Sequence, residues 1–253
     1  PRAASSPAIR CAIAVVGTRH PSPRGRAMAQ RMAGELAALG VCVVSGLARG
    51  IDACAHRGAL ETGTTVAVLG AGLDRIYPPE HRELAQRIRR RGALVSEFLP
   101  GEPPRAWHFP LRNRVISGLS LGVVVIEASE RSGSLITARH ALEQGREVFA
   151  VPGDPASPWS RGTHGLLRRG AKLAESAGDV LAEVFPQMER PPWWGHPLLR
   201  ALSEGPRSVD ELVMRCGRPV HEVLAELVEL ESRGAVRRVA PAVFALDLPP
   251  LVD

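Results

Sequence analysis

The chain has 253 residues, 32 Lys+Arg against 26 Asp+Glu, 45% apolar and 4% aromatic residues, a composition that excludes a disordered tail or a fibre and suits one large domain plus a small one. No run of about eighteen uncharged apolar residues occurs, and the first ten residues lack the apolar stretch of a secretory signal, so no membrane span or export route is readable and a cytoplasmic location is expected. The formal net charge of +6 favours an anionic partner.

Residues 1–9 are expected to be disordered, and because the chain opens on Pro1 rather than Met, residues upstream are expected to have been removed. The cations are almost all arginine, Lys172 being the one lysine, and planar guanidinium forks suit paired contacts with phosphate oxygens. They are unevenly placed. Residues 1–189 hold 24 basic and 17 acidic residues, whereas 190–253 hold 8 and 9. Cys11, Cys42, Cys54 and Cys216 match neither a zinc spacing nor a disulfide framework and read as reduced packing residues.

In chain order, short apolar runs at residues 12–16, 41–44, 66–69, 121–126 and 148–151, with a further candidate at 93–96, predict strands buried on both faces, because they do not alternate with polar residues. Helical patterns at 25–39, 52–61, 79–91 and 135–144 lie between them. That rhythm predicts an α/β domain over residues 10–185, an extended Rossmann-like parallel sheet with helices on both faces. Prolines and the Trp193-Trp194-Gly195 segment mark residues 186–195 as a linker. Helix candidates at 196–202, 208–216 and 219–233, a Ser208/Glu211 capping box and a hairpin at 236–245 predict a winged helix over 196–247, with a tail at 248–253.

In a parallel sheet of this kind ligands sit beyond the carboxyl ends of the strands, and there the chain places glycine-containing polar loops: Gly17-Thr18-Arg19, Ser45-Gly46 running on to Arg49-Gly50, and Ser132-Gly133-Ser134 ahead of Thr137. Glycine allows close backbone approach, hydroxyls donate, and helix N-termini add partial positive charge, which together predict a phosphate cradle. The segment 105–114 brings Trp107 and Phe109 beside Arg112, Asn113 and Arg114. Aromatic faces among cations suit an unpaired nucleic-acid strand, whose bases can stack while its backbone follows a basic groove.

These motifs, with Phe109-Pro110 through Ser120, Ser132 through Ala138, and Ala150-Val151-Pro152-Gly153, resemble the DNA-processing protein A (DprA, or Smf) family over about residues 9–181. The resemblance implies an extended Rossmann fold that binds single-stranded DNA, forms a homodimer and loads the recombinase RecA onto incoming strands during natural transformation; protection of the incoming strand and binding without bond-making are expected, with no catalytic residue, no cofactor and no metal. The residues it assigns to DNA are Gly17, Arg19, Ser45, Gly46, Gly50, Phe109, Arg112, Asn113, Arg114, Ser132, Gly133, Ser134 and Thr137, and Thr18 and Arg49 join them from the same loops. Gly162-Thr163-His164 departs from the family's Gly-x-Asn pattern, and Arg24-Gly25 stands where an aromatic-Gly pair is common. A helical N-terminal domain frequent in the family is not in this sequence.

Arg112→Ala or Arg114→Ala is expected to weaken binding for all sequences, and three to five phosphate contacts predict a salt slope of about −2 to −3.5. The glutamates of residues 219–233 argue against the third helix of the winged helix as a principal DNA contact and favour a protein contact or regulation, with an accessory backbone contact left to Arg233, Arg237 and Arg238 at the hairpin. Two other functional classes are compatible with a Rossmann-like domain or a winged helix. A nucleotide phosphoribohydrolase would need a Pro-Gly-Gly-x-Gly-Thr-x-x-Glu run, which is absent; a winged-helix transcription regulator would bind duplex DNA. Gly70-Ala71-Gly72 reads as a turn. Asp52, Asp74, Glu97 and Glu127 read as caps or buried partners rather than metal ligands, and His56 and His140 as isolated helical histidines.

Overall fold

The computed structural model describes residues 11–185, 197–203, 205–232 and 235–246. The expected disordered start, the linker 186–195 and the tail 248–253 lie outside the described residues. Two compact units divide between Val184 and Phe185. No described helix is long and apolar enough to cross a membrane.

The larger unit runs β1 (Ala12–Val16), α1 (Pro23–Ala38), β2 (Cys42–Ser45), α2 (Ile51–Thr62), β3 (Thr65–Val68), α3 (Arg82–Arg91), β4 (Ala93–Val95), α4 (His108–Gly118), β5 (Gly122–Val125), α5 (Ser134–Glu143), β6 (Glu147–Ala150), α6 (Arg161–Leu167), β7 (Lys172–Leu173) and α7 (Ala177–Val184). The seven strands form one parallel sheet in the order β4-β3-β2-β1-β5-β6-β7. The helix expected over 79–91 is a 3₁₀ turn at Pro79–His81 followed by α3. Segment 105–114, singled out by its composition, is mostly the first two turns of α4.

Both faces of the sheet are covered, so its strands are apolar throughout. On one face Ala12, Ala14, Val16, Val123 and Val125 pack against Ile116 of α4, Ala138 and Ala141 of α5, and Leu166 of α6. On the other, Ala67 and Leu69 meet Ala53 and Leu60 of α2 and Leu84, Ala85 and Ile88 of α3.

That second face also buries a histidine. His56 on α2 is fully enclosed, and its Nδ1 lies 2.8 Å from the Thr65 hydroxyl, which itself donates to the Val43 carbonyl at 2.6 Å. The hydroxyl's proton is thereby used, so His56 donates from Nδ1, while Nε2 has no partner among the described residues. Burial, with His81 and Arg112 adding repulsion, pushes its pKa from 6.5 down to about 3. The folded state then binds fewer protons than the unfolded one as pH falls below 6.5, so stability is lost in that direction. Between about pH 6.5 and 5 the protein is expected to lose up to ~1.4 kcal/mol per pH unit more than a His56→Gln variant. Urea unfolding at a series of pH values checks this; parallel profiles would show that His56 is not the acid-sensitive group.

The smaller unit contains α8 (Pro197–Ser203), β8 (Arg207–Ser208), α9 (Val209–Cys216), α10 (Val220–Ser232), β9 (Val236–Ala240) and β10 (Val243–Leu246), with an antiparallel sheet ordered β8-β10-β9. The Ser208/Glu211 capping box forms reciprocally: Glu211 N–H donates to Ser208 Oγ and Ser208 N–H to Glu211 Oε2. Leu212, Val223, Leu227 and Phe244 fill the core. Three helices with a two-stranded wing make this unit a winged helix.

Candidate functional site

Strand β1 lies between β2 and β5, so the chain builds outward through β4 on one side and then returns to build on the other. The loops leaving β1 and β5 therefore diverge, and the crevice between them is the place where such sheets bind ligands. A pocket of about 340 Å³ opens there. Its walls are Gly17, Thr18, Arg19 and His20 after β1, Ser129, Ser132 and Gly133 after β5, Ser134, Ile136 and Thr137 on α5, and Phe109, Pro110, Arg112, Asn113 and Ile116 on α4, with Asp52 contributing from α2.

One ring and one exposed guanidinium shape the mouth. Arg19 lies over the Phe109 ring, 5.4 Å from its centroid, a cation–π contact that holds the planar fork at the rim. Among the described residues Arg19 has no carboxylate partner. Phe109 is seated because Gly70 has no side chain: a Cβ there would fall 2.8 Å from the ring. On its other side Tyr77 tilts against it with centroids 5.5 Å apart. The turn expected at Gly70-Ala71-Gly72 thus has a further task that only the tertiary packing reveals.

Opposite, Asn113 Nδ2 donates to the Gly133 carbonyl at 3.3 Å, tying α4 to the start of α5. The Ser132 and Ser134 hydroxyls lie 2.8 Å apart, and among the described residues neither is bonded to a histidine or carboxylate. Gly133 has open space around it and precedes the first turn of α5, whose N–H groups give that edge partial positive charge.

The floor holds two buried side chains of opposite charge. Arg112 is only 4% exposed; its Nη1 donates to the Gly46 carbonyl at 2.7 Å and to the Val68 carbonyl. Asp52, also buried, accepts through Oδ2 from Gly46 N–H at 3.1 Å and Ala48 N–H at 3.3 Å. Gly46 is wedged between the two, since a Cβ on it would sit 2.7 Å from both Arg112 Nη2 and Asp52 Oδ2. Burial lowers the Arg112 pKa to about 10, Asp52 opposing and Arg19 reinforcing that shift. Burial likewise raises Asp52, against the pull of Arg112 and the two backbone N–H groups.

The residues expected at the site therefore separate into two sets. Gly17, Thr18, Arg19, Phe109, Arg112, Asn113, Ser132, Gly133, Ser134 and Thr137 line the pocket. Ser45, Gly46, Arg49, Gly50 and Arg114 do not. Ser45 is fully buried with its hydroxyl on the Val15 carbonyl at 2.7 Å. Gly50, at φ +78°, is in left-handed space and packs directly on the Thr18–Arg19 backbone, so the second loop supports the first from behind. Arg49 pairs with Glu80 at 2.5 Å and Arg114 with both oxygens of Glu97 at 2.8 Å, each away from the pocket. Trp107 is exposed and meets the His108 ring edge-on rather than the pocket. His20, Ser129 and Ile136 line it without being site residues in the sequence reading, marked there only by adjacency to the glycine loops, and Asp52, expected to be a cap or buried partner, lines it too.

The isolated acids have structural partners: Glu127 accepts from Ser22 N–H and Oγ at the start of α1, and Asp74 from Gly101 N–H. Gly25, the residue of the Arg24-Gly25 pair that keeps the family pattern, lies against the Glu127 carboxylate, where a side chain would collide. At the other departure His164 Nε2 sits 3.1 Å from the Gly153 carbonyl.

The family model of DNA recombination-mediator protein A matches residues 5–185, most of the chain and all of the pocket. The chain belongs to this family. A DprA winged helix domain model matches residues 195–240. Protein Smf of Escherichia coli is 43% identical over 245 residues, 90% of this chain and 66% of that protein. The crystallised DprA of Streptococcus pneumoniae superposes with a TM-score of 0.65 at 46% identity, over 69% of this chain and 62% of that one. DprA of Helicobacter pylori, solved for its single-stranded DNA binding mode, gives a TM-score of 0.65 at 30% identity over 71% and 82%. The chain thus spans about two-thirds of the length of the Escherichia coli protein.

Proposed function

We propose that this chain binds single-stranded DNA in the pocket between β1 and β5 and serves DNA recombination during natural transformation, as a cytoplasmic homodimer that passes the strand to RecA without making or breaking a bond. The observation that carries the reading is the juxtaposition of Arg19 over Phe109 with the α5 N-terminus across one pocket. A guanidinium and free N–H groups suit phosphate, and an aromatic face at the mouth suits an unstacked base. The single-stranded DNA binding of the Helicobacter pylori relative supports the same ligand class.

Selectivity follows from shape. A base must leave its stack to lie on Phe109, which is free in a single strand and costly in a duplex. Residues of α10 support a partner-protein role for the winged helix: Val220, Leu224 and Val228, four apart, are exposed beside acidic positions, a surface ill suited to a phosphate backbone.

Competition of unlabelled single-stranded against duplex DNA of the same sequence and length, at a fixed stated salt, tests the reading. At least tenfold preference for the single strand is expected, with weak dependence on sequence. Equal competition by duplex, or binding insensitive to salt, would discard it.

A further inference from the structure

Outside the pocket, a second groove of about 440 Å³ runs along α3. Its donors on α3 are Arg82, Gln86 and Arg89, spaced i, i+4 and i+7 and so on one helix face, while Leu84, Ala85 and Ile88 of the same helix are buried. All three donors are exposed, and among the described residues neither Arg82 nor Arg89 has a carboxylate partner. Asp74, in the opposite wall with Arg75, is already engaged by Gly101 N–H at 2.7 Å and by Arg75 at 3.5 Å.

Helix stabilisation explains only part of this. Cations in the last turn of α3 complement the helix dipole, but Arg82 is its first residue, where a cation is disfavoured. The groove also adjoins the pocket. Tyr77 forms one wall of it, and Tyr77 and Phe109, a wall of the pocket, are in ring contact at 5.5 Å. Cations, an amide donor, the half-buried Phe109 ring and the exposed Tyr77 ring therefore continue from Arg19 to Arg82 and Arg89.

We propose that the groove on α3 is a second subsite for the same single strand: a base seated on Phe109 is followed by one on Tyr77, and the sugar-phosphate chain beyond lies along Arg82, Gln86 and Arg89. This rests on the reading of the pocket as a single-strand site. Affinity then grows with strand length through contacts the pocket alone does not supply, and sequence remains unread, since every donor meets backbone.

The test is an Arg82→Ala/Arg89→Ala variant, both positions being exposed, titrated with oligonucleotides of about 5 and about 20 nucleotides, lengths that bracket the site sizes of single-strand binders. Arg19→Ala is measured alongside. The expected result is unchanged affinity for the short strand, at least a tenfold loss for the long one, and a salt slope for the long strand shallower by ~1.4, two contacts at ~0.7 each. If the double variant binds both lengths like the parent while Arg19→Ala weakens both, the second subsite is wrong and the pocket stands. If both lengths weaken equally, α3 is not a separate subsite. If Arg19→Ala alters neither length, the reading of the pocket falls, and this inference with it.

Discussion

Asp52→Ala and Arg112→Ala are each expected to lower the unfolding free energy by about 3 kcal/mol or more, and the double variant to cost clearly less than the sum, a coupling of about 1–3 kcal/mol. Burial disfavours both charges, as the lowered Arg112 and raised Asp52 pKa values indicate, and each partly offsets the other's penalty. Removing Asp52 strands a guanidinium in the floor and leaves the Gly46 and Ala48 N–H groups without their acceptor. Removing Arg112 leaves the Gly46 and Val68 carbonyls without its donation. Removing both eliminates the stranded charge, so the second loss is smaller. Urea unfolding of the four proteins completes the cycle; strict additivity would show that the two charges do not compensate each other.

The same pair shows what sequence alone could and could not convey. The parallel sheet was legible because buried strands and intervening amphipathic segments leave apolar runs at β1, β2, β3, β5 and β6. The two-residue β7 and the seven-residue α6 left none, being too short to show a period. The glycine loops were legible as tight turns, but not their depth in the fold. Gly46 and Gly50 resemble Gly17 and Gly133 in the sequence, yet they stand one layer behind, where small residues let the two buried charges and the first loop close up. Arginines were equally indistinct. Arg112 and Arg114 lie two apart on α4, a separation that turns them to different sides of a helix, so one is buried in the floor and the other pairs with Glu97. A segment read by composition alone has no sides, and the helix supplies them.

That division makes the arginines the sharpest test of the site. Arg19→Ala is expected to weaken single-strand binding by about 10–100-fold, the size of a charge-assisted contact to phosphate, and to make the salt slope shallower by ~0.7. Arg19→Lys should recover only part of the loss, because an ammonium keeps the charge but not the planar fork that rests on Phe109. Arg114→Ala, by contrast, should change affinity less than twofold: its charge is matched by Glu97 and its side chain lies away from the pocket. Composition ranks Arg114 with Arg112 as a strand contact, so here the geometry and the bare sequence disagree, and fluorescence anisotropy titrations of the three variants decide between them. Arg114→Ala binding as weakly as Arg19→Ala would mean that the strand runs over the outer face of α4 and that the crevice between β1 and β5 is not its seat.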